Sequence, residues 1–246
     1  MNFLKNCLKL IFLFFITYNC LNSFSVNSSF AQSRSNNMLN SKQQNLVSIA
    51  AFTAIGDIGK LQSALKDGLD SGLTINEIKE AMIHSYAYAG FPRALNGLNT
   101  LMNVLKERKA VGISDPIGRD ASPISTNQSM LEMGKEIQTK LAGHPVTGAV
   151  FDFAPVINQF LQSHLFGDLF TRDVLDYPTR EVITISILAT LPGLNDQLQA
   201  HYNLGINSGL TIDQLKNIVV VLQNKVGKDI GANAQLILEK TLNQRK

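Results

Sequence analysis

The sequence is poor in the residues that build covalent or aromatic sites. Its 246 residues include no Trp, 2 Cys and 7 Pro. Both cysteines, Cys7 and Cys20, fall within residues 1–31, a stretch that also carries Lys5, Lys9, an apolar run from Leu10 to Ile16 and the small-residue site Ser29-Phe30-Ala31. This is the layout of a secretory signal peptide cut near Ala31. The run is shorter than the roughly 20 apolar residues of a membrane span, and Thr17-Tyr18-Asn19 lacks the small, apolar pattern that precedes a lipid-anchored cysteine. The expectation is an exported protein, periplasmic or secreted, with no stable membrane anchor and no thiol after cleavage. That excludes disulfides, thiolate metal sites and cysteine nucleophiles.

A charge excess is also missing. Without Lys5 and Lys9 the 22 basic residues become twenty, against 19 acidic ones. A near-neutral chain offers no electrostatic footprint for nucleic acid, and without Trp it has no aromatic platform of the single-strand-binding kind. No phosphate-binding glycine motif is present. His144, His164 and His201 lack the close spacing of a metal-binding histidine motif, so neither cofactor nor metal is expected, and the expected partner is a small-molecule substrate.

What the chain does contain is a repeated word. Ser71-Gly72-Leu73-Thr74-Ile75 recurs as Ser208-Gly209-Leu210-Thr211-Ile212. The same offset aligns Thr53 with Thr190, Gly56 with Gly193, Leu61-Gln62 with Leu198-Gln199, Gly68 with Gly205, Lys79 with Lys216, Gly90 with Gly227 and Asn96 with Asn233. Colinear matching of this kind indicates an internal repeat. Within the word, Gly ends one helix in the left-handed conformation and Thr caps the next, with Glu77 and Gln214 completing capping boxes.

Helices are accordingly expected at 44–55, 58–71, 75–89 and 93–108 in the first repeat, and at 179–190, 195–207, 212–224 and 229–243 in the second. The β-branched runs 182–187 and 218–221 suit strands by composition, but their repeat partners, 46–52 and 81–85, read as helix. Residues 111–128, rich in Gly, Pro, Ser and Asp, read as an exposed linker, and two further helices are expected at 130–141 and 156–166. The organisation is a signal peptide (1–31), a first repeat (41–110), the linker and a second repeat (129–246), all-α throughout.

These residues resemble the carboxymuconolactone decarboxylase family. In the second half the resemblance rests on Phe166-Gly167-Asp168-Leu169-Phe170-Thr171-Arg172, Leu175-Asp176, Thr179-Arg180 and His201 ahead of Gly209-Leu210-Thr211. In the first half it rests on Gly72-Leu73-Thr74, Glu77-Ile78 and His84-x-Tyr86-Ala87-Tyr88-Ala89-Gly90-Phe91-Pro92. The wider superfamily includes alkyl hydroperoxidase D, whose paired thiols would fall on Leu194 and Gln197, so its peroxide chemistry is not expected. The glutamate of that relay would correspond to Glu181, given a one-residue insertion near Pro192.

Each repeat keeps a different part of the pattern. The first has Ala64 where the second has His201; the second has Val221 and Lys228-Asp229 where the first has His84 and Phe91-Pro92. Either the repeats build one complementary site or one site has decayed.

The resemblance implies cofactor-free decarboxylation of a small unsaturated carboxylate or lactone. His201 would transfer the proton, Glu181 would orient it, Arg172 or Arg180 would hold a carboxylate, and His84 and Tyr88 would line the pocket. In a helical hairpin turning near Gly193, Glu181 and His201 fall within reach of each other. Against this stand structural roles: His201 and His84 as satisfied buried residues, Tyr86 and Tyr88 as packing, and Arg172 and Arg180 paired with Asp168, Asp173 or Asp176 on a solvated face. A non-catalytic ligand-binding or structural module is the alternative function. Because single-domain relatives assemble as rings of six, the resemblance also implies a homo-oligomer, a trimer of tandem chains.

Overall fold

Helix starts in this chain are written in capping residues. In a computed structural model that describes residues 38–124 and 127–245, the side chains of Asn40, Thr74, Ser129 and Thr211 each accept from the backbone N–H three residues on. The Gln or Glu at that third position reaches back in turn. Asp57 and Asp176 cap two more helices without the reciprocal bond. The expected leader, its cleavage site and both cysteines lie outside the described residues.

Ten α-helices form among the described residues: α1 (Ser41–Ile55), α2 (Ile58–Asp70), α3 (Ile75–Ala110), α4 (Met130–Ala142), α5 (Ala149–Phe153), α6 (Pro155–Phe160), α7 (Tyr177–Thr190), α8 (Asn195–Ser208), α9 (Ile212–Val221) and α10 (Lys228–Gln244). No strand is present among them, and the chain is all-α. Two wider, π-helical stretches, Leu161–Leu169 and Leu222–Val226, follow α6 and α9.

The two copies of the repeated word do the same mechanical work. Gly72 (φ 90°) and Gly209 (φ 113°) turn left-handed. The Leu73 N–H donates to the Gly68 carbonyl at 3.0 Å and the Leu210 N–H to the Gly205 carbonyl at 2.9 Å. Each leucine is buried, closing the apolar clasp of a Schellman end. Helix starts Asn195 and Ile212 follow Ile58 and Ile75 by the same interval.

α1 and α7 pack against each other at the centre. Every residue from Leu46 to Ala54 and from Arg180 to Ala189 is buried. A helix enclosed on all sides has no polar face and loses its sequence period, which is why the run 182–187 looks like a strand and folds as a helix. Each central helix serves two cores. Val47, Ala51, Val182 and Ile185 pack with Leu198, Leu215 and Leu238 of the second half, whereas Ile49, Phe52, Ile183 and Ile187 pack with Leu61, Ile78 and Leu101 of the first.

Four stretches differ from expectation, the shortest being that after Val221, where the helix expected at 212–224 widens into Leu222–Val226. Helix α3 is registered through to Ala110, but Gly90 is non-helical inside it (φ 82°, ψ 159°), so the expected break occurs as a kink two residues ahead of Pro92. The helix expected at 156–166 instead ends at Phe160 and widens into the π-helical stretch.

The reason for that widening lies in a close crossing with α4. A Cβ on Gly134 would fall 1.7 Å from the Gln162 carbonyl oxygen, and one on Gly167 would fall 2.5 Å from that of Met130. Only glycines allow backbone to approach backbone at this distance.

Residues 111–124 are mostly exposed, as expected of a linker, but are tied down by hydrogen bonds. The Ile75 and Asn76 N–H groups, left over at the start of α3, donate to the carbonyls of Pro116 and Ile117. The Asn76 amide donates to Gly118, Arg119 and Asp120. Arg108 pairs with Asp115, and Ser122 and Arg119 both engage Asp173. The segment is a strap fastened at both ends.

Gly134→Ala is expected to destabilise the fold by about 1–3 kcal/mol through overpacking, read as a lower urea midpoint. Gly59→Ala, whose Cβ would meet nothing closer than 3.8 Å, should be neutral or slightly stabilising because Ala favours helix.

Candidate functional site

Burying α7 on all sides forces its polar residues to find partners inside the protein. Arg180 is fully buried, and its Nη2 donates to Glu80 Oε1 at 2.7 Å and to the Arg172 carbonyl at 2.6 Å. Arg172 holds the same Glu80 through Nε and Nη2, the shortest contact being 2.9 Å. Two guanidinium groups thus share one buried carboxylate. The Arg180 cation lies over the ring of Phe170, 5.9 Å from its centroid.

The Arg180 guanidinium fixes the tautomer of the adjacent imidazole. Arg180 Nη1 lies 3.3 Å from His84 Nδ1, and a guanidinium can only donate. His84 Nδ1 is therefore the acceptor, the proton is on Nε2, and Nε2 donates to Thr184 Oγ1 at 2.8 Å. Complete burial, with the Arg180 charge beside it, holds the His84 pKa well below the usual histidine range. His84 also packs at 5.4 Å from Tyr88 and 5.2 Å from Phe170.

On the other side of α7 lies a cavity of about 820 Å³. Its walls are largely apolar, from Phe151, Leu161, Leu165, Phe166, Leu188 and Leu204, and its polar groups are His201, Gln138, His144, Gln197, Asn203, Asn207 and Arg245. His201 Nδ1 lies 2.8 Å from Glu181 Oε2, with the carboxylate fully buried and the imidazole 12% exposed. The ring of Tyr88 meets His201 edge-on at 5.4 Å. Tyr88 also lines the cavity, but its hydroxyl is buried without a hydrogen-bond partner, as is Glu181 Oε1. Burial, reinforced by the Glu181 charge, raises the Tyr88 pKa.

The structure therefore brings Glu181, His201 and Tyr88 to one cavity and places the other named residues elsewhere. His84 stands behind Tyr88 rather than in the wall. Arg172 and Arg180 are committed to Glu80 and do not line the cavity, and their partner is not Asp168, Asp173 or Asp176 on a solvated face. The cation that does line it is Arg245, which donates to Asn203 Oδ1 at 2.8 Å and Asn207 Oδ1 at 3.1 Å.

Leu194 stands just ahead of α8 with no side-chain capping bond, and Gln197 lines the cavity. His144 lines it too, its Nδ1 donating to the Pro145 carbonyl at 3.0 Å. His164 is on the outer surface, bonded to Asp168 at 2.6 Å and to Tyr86. Among the described residues no three His, Cys, Asp or Glu side chains gather as a metal site, and no helix is long and apolar enough to cross a membrane.

Sequence reading missed Glu80, Thr184 and Arg245. Glu80 stands four residues before His84 on the same helix face, a spacing that was available as a signal. Arg245 gave none, since it enters the cavity only because α10 packs back on α8.

The neutral His84 has a consequence for stability. In the unfolded chain an imidazole takes up a proton below about pH 6.5, while the folded chain resists protonation at His84. The unfolded state then binds more protons, so stability present above pH 6.5 is lost as pH falls, by at most about 1.4 kcal/mol per pH unit. Urea unfolding at about pH 7.5 and 5 should show this loss in the parent and a smaller one in His84→Gln.

Comparison with known proteins adds to this geometry. Residues 27–101 match the family described as "Carboxymuconolactone decarboxylase family", a stretch that ends within α3 and includes Glu80, His84 and Tyr88. The 4-carboxymuconolactone decarboxylase of Acinetobacter baylyi is 26% identical over 98 residues, covering 38% of this chain and 72% of that protein. The helical architecture agrees with the match, and residues 27–101 of the chain are similar to the carboxymuconolactone decarboxylase family.

Proposed function

We propose that the protein is a cofactor-free lyase of the carboxymuconolactone decarboxylase type, acting on a small unsaturated carboxylate or lactone bound in the His201 cavity. The observation that carries this reading is the Glu181–His201 pair at the cavity wall, with Nδ1 held at 2.8 Å and Nε2 left for a ligand. A carboxylate on one ring nitrogen fixes the tautomer and stabilises the imidazolium, so the other nitrogen can give or take a proton.

In the proposed reaction the bond between the ring carbon and the carboxylate breaks and CO2 departs. The electron pair spreads over the conjugated lactone, and His201 Nε2 delivers a proton to carbon. Apolar walls favour this step because they disfavour the charged carboxylate more than neutral CO2. Arg245 takes the anchoring role that the sequence suggested for Arg172 or Arg180, holding an acid group or the lactone carbonyl that is not lost.

A non-catalytic ligand-binding role is the second reading. The cavity volume, about 820 Å³, favours it because that is the range of whole drug-sized ligands. The same proposal includes export after removal of the leader and a homo-oligomer. Exposed Phe153, Val156 and Phe160 on α5 and α6 support subunit contact.

With 4-carboxymuconolactone as probe, His201→Ala should lower CO2 release at least about 100-fold, the usual worth of a general acid, while leaving Tm nearly unchanged. Arg245→Gln should raise KM more than it lowers kcat. Equal lactone binding by the parent and His201→Ala, with no CO2 from either, would sink the lyase reading and favour the binding module.

A further inference from the structure

The cavity beside His201 is long as well as apolar. Its wall on α8 runs from Gln197 to Asn207, a length of about 15 Å at 1.5 Å per residue. Gln197, Ala200, Leu204 and Asn207 follow one another at three- and four-residue steps, which sets them on a single stripe of that helix. Phe151, Leu161, Leu165 and Phe166 supply apolar wall from outside α8.

The lining carries fixed charge of one sign. Among the described residues that line the cavity there is no Asp or Glu, and Arg245 is the permanent cation. Its guanidinium is held by amide oxygens, with Nη1 donating to Asn203 Oδ1 at 2.8 Å and Nη2 to Asn207 Oδ1 at 3.1 Å. The Asn207 amide donates in turn to the Leu141 carbonyl at 2.8 Å, which ties this mount to the end of α4. Amide oxygens orient a guanidinium without neutralising it, and its remaining N–H donors suit a carboxylate, which accepts them in pairs.

The spacing along α8 orders these parts. Asn203 and Asn207 bracket a point four residues past His201, so the Arg245 mount stands roughly 6 Å along the helix from the imidazole. A ligand with its acid group on Arg245 passes His201 and still has a similar length of wall ahead of it, as far as Gln197.

We propose that the cavity takes an amphipathic carboxylate, with an acid group on Arg245 and an extended apolar body laid along α8 against Leu161 and Phe166. A compact lactone covers only part of this wall, and apolar surface left uncovered contributes nothing to binding. The proposal rests on the reading of this cavity as the ligand site and names the ligand class. It does not need the proton transfer assigned to His201.

Isothermal titration calorimetry with hexanoate, octanoate and decanoate, below their micelle concentrations, tests this without turnover. Affinity should rise about 2- to 4-fold per added methylene, with one molecule bound per chain. Arg245→Gln should weaken decanoate at least about 10-fold, the worth of a hydrogen bond to a charged group, while leaving decanol unchanged. Ala200→Trp fills the cavity from an exposed position on α8, and should weaken decanoate at least as much with Tm held.

An affinity flat across the series, or decanoate binding unmoved by Arg245→Gln or by Ala200→Trp, overturns the proposal. A parent that releases CO2 from 4-carboxymuconolactone yet binds no decanoate overturns it while leaving the lyase reading intact. A parent that binds decanoate through Arg245 and releases no CO2 supports it and sinks the lyase reading alone.

Discussion

The enclosure of α7 is the constraint on which the rest of the molecule depends. A helix with no solvent face must satisfy Arg180, Glu181, Thr184 and Ser186 inside the protein. Ser186 does so locally, donating to the Val182 carbonyl at 2.6 Å. The other three draw residues from elsewhere: Glu80 and His84 from α3, His201 from α8, and Arg172 from the turn ahead of α7. The site is thus a by-product of the packing solution at the centre, and its rigidity comes from α1 and α3 pressing on α7.

Sharing one carboxylate between two guanidinium groups sets the electrostatics of this interior. A lone Arg180 at such depth would be untenable without the Glu80 carboxylate. Complete burial, with the Arg180 charge 3.3 Å away, keeps the His84 imidazole uncharged. About 100° round the same helix, Glu181 is the anion that faces His201. One residue step along α7 changes the sign of the local charge, so one histidine is held neutral and the other sits against a carboxylate.

Local structure was largely legible in the sequence because it is written in local chemistry. Thr74 and Thr211 with Glu77 and Gln214 announced two helix starts, and Gly72 and Gly209 the stops before them. The spacing of Glu181 and His201 around Gly193 was enough to place them within contact. What could not be read was long-range pairing. Nothing near Arg172 or Arg180 pointed to Glu80, about a hundred positions earlier, whereas the adjacent Asp168, Asp173 and Asp176 made a plausible surface alternative. The π-helical widening at Leu161 was equally hidden, since its cause is the backbone approach at Gly134 and Gly167 rather than any local preference.

The strap from Val111 to Ile124 has an effect on the unfolded chain as well as the folded one. A connection closed only at its ends carries an entropy cost that grows with the logarithm of its length. Fastening it at Asp115, at Pro116 to Asp120 and again at Ser122 divides one long closure into short ones, each completed next to a helix end that already exists. The passage between the halves is then held at several points along α3. In this respect the segment behaves as a seam, whose successive stitches bring α3 and the turn before α7 into register.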